Sequence, residues 1–237
     1  MAAVKRAVAD IKELQNPLYS QTGIYYKIND SNVLKGTACI FGPKGTPYED
    51  CPMLFEIQVS TTYPFDPPTV RFLTYDGQTR FHPNMYVDGK VCLSILHTWQ
   101  GPKWASTMRL STILVTLQSL MDEAPLRHEP GYETGHEDFT ANYSKYVEAM
   151  CIKYTLDRLA CTLHNIGQPL LFEPFEEEWR ERIPGTLERL EKRLEKLVAE
   201  GEKTYLALPY KMQGKTTYAK FLDQVVKLKT LPISTDK

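Results

Sequence analysis

At 237 residues, with 28 Lys and Arg against 29 Asp and Glu, the chain carries a formal charge of −1. That balance removes any general electrostatic case for nucleic-acid or membrane partners. Its apolar (42%) and charged (24%) fractions are those of a globular protein, long enough for one large domain or a domain with an extension. No run of eighteen apolar residues exists, so no transmembrane helix is expected. The first fourteen residues mix charge with apolar positions and read as neither a secretory signal nor a transit peptide. The five cysteines (Cys39, Cys51, Cys92, Cys151, Cys161) are odd in number and form no CxxC pair. They point to a reducing compartment, cytoplasmic or also nuclear, and to no disulfide framework and no zinc site.

In chain order, Val4, Ala7, Val8, Ile11 and Leu14 recur at helical spacing and predict a helix over 3–15, ended soon after by Pro17. Lys5, Arg6 and Lys12 fall on its other faces. Residues 22–28, 34–41, 52–60 and 69–73 are short, rich in β-branched and aromatic residues, and bounded by turn residues. Four successive strands with short connections predict an antiparallel meander, hence an α+β class. Leu110, Ile113, Leu114, Leu117, Leu120 and Met121 form the apolar stripe of a core helix over 109–122. A further helix is marked by Phe139, Tyr143, Tyr146, Val147, Met150 and Tyr154, reaching towards His164 and stopped by Gly167-Gln168-Pro169. Residues 186–200 predict a helix with Leu187, Leu190, Leu194, Leu197 and Val198 on one face, and 215–229 predict another. The last stretch, 231–237, reads as frayed.

Between strands and helices lies FHPNMYVDGKVCLSILHTWQGPKW, residues 81–104. His82-Pro83-Asn84 is a compact turn signal. Cys92 follows eight residues after Asn84, in an apolar run flanked by Gly89-Lys90 and Ser94. A free cysteine is most often a buried small hydrophobe; His82-Pro83-Asn84 alone is weak, and its context decides.

HPN followed by Cys in GKVCLSIL, with GPKGTPYED and YPFDPPTVRF before it, resembles the ubiquitin-conjugating enzyme family over about the first 160 residues. The longer CLSILHTWQGPKW spacing and the later SLM and EPGYE look most like its Z-type branch. The resemblance implies the family fold: an N-terminal helix, a four-stranded meander, an irregular active-site loop and C-terminal helices. It divides the chain into a catalytic core, 1–165, and a helical extension, 166–237. It implies that Cys92 accepts ubiquitin or a ubiquitin-like modifier as a thioester from an activating enzyme, in Z-type relatives an alternative one. The modifier then passes to a substrate amine or to a ligase. No metal or organic cofactor is implied, because the ATP chemistry belongs to the activating enzyme. A non-catalytic modifier-binding scaffold on the same fold is the rival reading. A cysteine hydrolase pairing Cys92 with His97 or His128 is a second rival, and it requires an imidazole on the sulfur.

Thioester exchange is nearly isoenergetic and needs a thiol in reach more than a strong base. Transfer to an amine builds negative charge on the thioester oxygen, and Asn84 is the candidate donor to it. His82 and Pro83 set the loop. Alignment places Glu129, with His128 beside it, where relatives carry the acidic residue that receives or aligns the incoming amine. Lys5 and Arg6 match a pair that docks the activating enzyme, and Phe65 matches a ligase contact. Five departures stand out: Asp50-Cys51 where relatives often have Gly-Gly, Ser94 where some carry Asp, Ala105-Ser106-Thr107 where the ligase surface usually has Ser-Pro-Ala, His128-Glu129 where shorter members have an Asp pair, and His82 where the Z-type pattern has Asn.

Overall fold

The computed structural model describes residues 2–164, 166 and 172–232. Four strands, β1 (Ile24–Asn29), β2 (Asn32–Phe41), β3 (Pro52–Gln58) and β4 (Thr69–Phe72), pair antiparallel in the order β1-β2-β3-β4. The meander is the one expected from the turns. At the first turn the Asn29 side chain accepts the Ser31 N–H at 3.0 Å, the local bonding that makes Asn a turn former. Helices α1 (Ala2–Leu14) and α2 (Pro17–Gln21) precede the sheet. Helices α3 (Leu110–Leu120), α4 (Glu137–Leu163) and α5 (Glu176–Glu200), the hairpin β5 (Thr204–Tyr205) and β6 (Gly214–Lys215), and helix α6 (Tyr218–Lys229) follow it. The stop expected at 167–169 and residues 233–237 of the frayed end lie outside the described residues.

Alternation along β2 and β3 sorts side chains onto two faces, and both are buried. Ala38, Ile40, Met53, Phe55 and Ile57 pack with Ile113, Leu114 and Leu117 of α3 and with Tyr143 and Val147 of α4. Cys39, Phe41 and Leu54 face the other way, onto Phe172, Phe175, Trp179 and Ile183 of the extension. Trp179 stacks on Phe41 with ring centroids 5.9 Å apart and planes 9° from parallel, and its Nε1–H donates to Thr162 Oγ1 at 3.0 Å. Burial of this indole explains why α5 starts at Glu176, ten residues earlier than expected, and runs through Pro184. The lost bond at Pro184 costs about 3 kcal/mol, and burying aromatic and aliphatic side chains, each contributing about 1.5–3 kcal/mol, more than offsets it. On the later face Leu187, Leu190, Leu194 and Leu197 are buried, while Val198 is exposed. The last expected helix starts three residues late, at Tyr218, because Gly214 and Lys215 pair with Tyr205 and Thr204 as β6.

In α1 the buried stripe is Ala3, Ala7, Asp10 and Leu14, and Val4 and Val8 are exposed. A periodicity that counts only apolar residues misplaces the face, because a carboxylate is part of it. Asp10 accepts from Arg6 Nε at 2.9 Å, from the Tyr63 hydroxyl, and from the Leu110 N–H at 3.3 Å, capping the first turn of α3. Burial and the adjacent carboxylate push the Tyr63 phenol up, so it stays protonated and donates.

The departure at Asp50-Cys51 is also part of the packing. Asp50 has φ 63°, in the left-handed region, which Asp tolerates better than most residues. Its carboxylate takes two bonds from Arg189 of α5, Nε at 2.7 Å and a terminal nitrogen at 2.8 Å. Arg193, one turn on, bonds Glu148 of α4 at 2.6 Å and the Thr46 carbonyl at 3.0 Å. Asp50 in this turn thus ties β3's approach to α5 of the extension.

Candidate active site

The segment before Cys92 is fixed by backbone bonds around one buried imidazole. His82 has no solvent exposure, and its Nδ1 accepts the Asn84 N–H at 3.0 Å, which fixes the turn as Pro83 fixes φ. Arg80 donates to the carbonyls of His82 at 3.1 Å and Pro83 at 2.5 Å. The Asp76 carboxylate closes the longer preceding loop by accepting the N–H groups of Gln78 and Thr79. Beyond Asn84 the chain doubles back. The Tyr86 N–H bonds the Lys90 carbonyl at 2.9 Å, and the Cys92 N–H bonds the Asn84 carbonyl at 2.9 Å. Gly89, with φ 90°, makes that reversal; a Cβ there would sit 2.9 Å from the Phe72 carbonyl oxygen. Thr98 then pins the segment after the cysteine, bonding the Val91 carbonyl at 2.8 Å and the Leu93 N–H at 2.9 Å.

Cys92 emerges in a narrow cleft of about 20 Å³ lined by Pro83, Asn84, Tyr86, Cys92, Trp99, His128, Glu129 and Pro130. The four residues expected to do chemistry, Cys92, Asn84, Glu129 and His128, thus share one site. Cys92 is only 2% exposed. The Asn84 amide donates Nδ2–H to the Cys92 carbonyl at 2.6 Å, and its Oδ1 is buried without a hydrogen bond. His128 Nε2 meets Asp122 Oδ2 at 2.8 Å, and its ring lies 5.1 Å from that of His82. His97 follows a 3₁₀ segment in a left-handed conformation, with φ 60°. Among the described residues no imidazole hydrogen-bonds Cys92, so the pair that a cysteine hydrolase requires is not formed. No group of three metal-ligating side chains occurs among the described residues either.

Of the expected docking residues, Lys5 is exposed. Arg6 is tied inward, to Asp10 and to the Met108 carbonyl at 2.7 Å. Phe65 stands 77% exposed on a loop anchored by Trp104, whose Nε1–H bonds the Pro64 carbonyl at 2.7 Å. Sequence reasoning missed Arg80, Tyr86, Trp99 and Tyr210. The first three lie in or beside the motif and were open to a closer reading. Tyr210, which bonds Glu129 across 81 residues of sequence, carried no local signal.

His82 also sets a pH dependence. Burial, followed by the neighbouring His128, lowers its pKa from 6.5 to about 3. The native imidazole is neutral, whereas the unfolded chain takes up a proton below pH 6.5. The His82 contribution to stability is therefore complete above that pH and falls by up to about 1.4 kcal/mol per unit as pH drops from 6.5 towards 3. Urea titrations across this range are expected to show that slope, and a His82→Gln variant is expected to lose it.

A family model described as ubiquitin-conjugating enzyme matches residues 6–152, more than half of the chain. The chain belongs to the ubiquitin-conjugating enzyme family. The sheet, helices and loop-borne cysteine described above are its α+β fold. Over 159 residues, 66% of this chain, it is 38% identical to "Ubiquitin-conjugating enzyme E2 Z" of Xenopus tropicalis and of Homo sapiens. Those stretches make up 48% and 42% of the two relatives. It is 35% identical over 164 residues to "Probable ubiquitin-conjugating enzyme protein 17" of Caenorhabditis elegans, 64% of this chain and 22% of that one. The chain thus spans about half or less of the length of these relatives. A solved Toxoplasma gondii ubiquitin conjugating enzyme domain covers 62% of this chain and 96% of that one at 23% identity, with a TM-score of 0.46, and adds nothing to the assignment. The resemblance to the Z-type branch of ubiquitin-conjugating enzymes read from SLM and EPGYE agrees with the named relatives. The family model ends at residue 152, short of α5 and α6.

Proposed function

We propose that this chain accepts ubiquitin or a ubiquitin-like modifier on Cys92 and transfers it to an amine of a substrate or to a ligase. The observation that carries the reading is the cleft in which Cys92, Asn84, Glu129 and His128 meet. In the first step the Cys92 thiolate attacks the thioester carbonyl held by the activating enzyme. A new carbon–sulfur bond forms, the old one breaks, and the activating enzyme's thiolate departs. In the second step a neutral amine attacks the Cys92 thioester. The carbon–nitrogen bond forms, the carbon–sulfur bond breaks and Cys92 leaves as thiolate. The amine's proton passes to the Glu129 carboxylate and on to water. The Asn84 amide faces the charge that builds on the thioester oxygen. His128, bonded to Asp122 and packed on His82, forms the wall beside Glu129 and gates the amine's approach.

The partners that follow are the modifier, an activating enzyme docking at Lys5 and Arg6, a ligase at Phe65, and protein substrates. The activating enzyme is read as the alternative one of the Z-type relatives. Residues 1–165 serve as catalytic core and 166–237 as extension. Five unpaired cysteines, four of them buried, fit the reducing cytoplasm or nucleus. No described helix is long and apolar enough to cross a membrane. The scaffold alternative is disfavoured by the presence of both Cys92 and Asn84. Incubation with modifier, ATP and the general or the alternative activating enzyme separates the two readings. A thiol-labile adduct supports the carrier, and binding without any adduct supports the scaffold.

A further inference from the structure

The turn Pro209–Lys211, between β5 and β6, reaches back to the cleft from the extension. Tyr210 and Lys211 have φ of 61° and 59°, a region that L-residues avoid. They are held there by their flanks: Leu208 and Met212 are buried in the inner core, and the Leu208 N–H bonds the Met212 carbonyl at 3.0 Å. Met212 also receives the Arg80 N–H on its sulfur at 3.1 Å. So placed, the Tyr210 ring lies 4.7 Å from the Arg80 guanidinium, the group that holds the carbonyls of His82 and Pro83, and 6.0 Å from the ring of Tyr143. The same guanidinium lies 3.3 Å from the Tyr86 ring on the cleft wall. The Tyr210 hydroxyl donates to Glu129 Oε2 at 2.5 Å. One residue of the extension therefore touches both walls of the cleft. Burial and the facing carboxylate push its phenol up, so it remains a donor. Glu129 Oε1 is left without a protein hydrogen bond among the described residues.

We propose that Tyr210 is a positioning residue for amine transfer: it fixes the Glu129 carboxylate with one oxygen bonded and the other turned to the incoming amine, which makes the extension part of the transfer apparatus. This rests on the reading of Glu129 as the amine's acceptor. The hydroxyl acts only where a proton leaves an amine, so a thiol nucleophile, which departs from its proton more readily, does not need it. Tyr210→Phe keeps the ring over Arg80 and beside Tyr143 and removes one bond.

The test is a single-turnover chase. The full chain is loaded with modifier, the activating enzyme is quenched, and the thioester is discharged to free lysine or to free cysteine. For Tyr210→Phe the maximal rate of lysine discharge is expected to fall about tenfold at an unchanged half-saturating lysine concentration, with cysteine discharge unchanged. Glu129→Gln is expected to slow lysine discharge at least as much, and Tyr210→Phe/Glu129→Gln to be no slower than Glu129→Gln alone. Slow Glu129→Gln with Tyr210→Phe inside twofold of the unaltered chain overturns the role of Tyr210 and leaves that of Glu129. Glu129→Gln at the unaltered rate overturns both. An equal loss of lysine and cysteine discharge in Tyr210→Phe shows a loosened cleft and overturns the positioning role.

Discussion

Replacing Asn84 with alanine is expected to slow lysine discharge of the loaded chain by roughly a hundred- to thousand-fold, the range for loss of one donor to a developing oxyanion. The substitution leaves the backbone of the site in place. The Asn84 carbonyl still receives the Cys92 N–H, and the Asn84 N–H still reaches His82 Nδ1. Only the side-chain bond to the Cys92 carbonyl is removed. A part-buried neutral hydrogen bond of that kind contributes about 1 kcal/mol, so a purely structural role predicts at most about a tenfold loss, shared by loading and discharge. A catalytic role predicts a far larger loss confined to discharge. Asn84→Asp keeps the size but brings an acceptor where a donor is needed, and is expected to be no faster than Asn84→Ala. Loading and single-turnover discharge, measured on the same preparations, distinguish these outcomes.

Asp10→Ala is expected to cost about 3 kcal/mol of folding stability, since a hydrogen bond to a charged group contributes about 1.5–3 kcal/mol and a buried donor left unpaired costs about 1–3 kcal/mol. Against a total of roughly 5–15 kcal/mol for a domain this is a large share. The side chain is fully buried and joins three parts of the molecule: Arg6 on its own helix, Tyr63 in the loop that carries Phe65, and the first N–H of α3. Removing it leaves Arg6 held only by backbone carbonyls such as that of Met108, Tyr63 without its acceptor and the Leu110 N–H without a partner. Asp10→Asn keeps an acceptor without the charge and is expected to lose less. Urea unfolding is the measurement, with the midpoint shifted and the slope unchanged if the native fold is kept. A midpoint within experimental error of the unaltered chain would show that the network adds nothing.

What the sequence made legible was local. The strands, α3 and the four leucines of α5 follow from periods of two and 3.6, and the His82-to-Cys92 spacing follows from a turn and a reversal that short-range bonds complete. Glu129 was found only through resemblance, because nothing about a carboxylate between Pro125 and Pro130 announces that it faces a cysteine 37 positions earlier. Asp10 was missed because hydrophobic periodicity counts an acid as a solvent-facing residue. Tyr210 was missed for a different reason. It lies in a strained turn whose conformation depends on Leu208 and Met212 reaching a core built by the first half of the chain. The same holds for Asp50, an apparent departure from a glycine turn whose purpose is visible only once Arg189 lies beside it.

Where the modifier sits is the most direct question that can be put to this molecule. The chain is loaded with modifier, ATP and activating enzyme, resolved on non-reducing and reducing gels, and the adduct is mapped by peptide mass spectrometry. A thiol-labile adduct on Cys92, absent in Cys92→Ala and converted to a thiol-resistant ester in Cys92→Ser, is the expected result. An adduct that persists in Cys92→Ala, or that maps to Cys39, Cys51, Cys151 or Cys161, would contradict it.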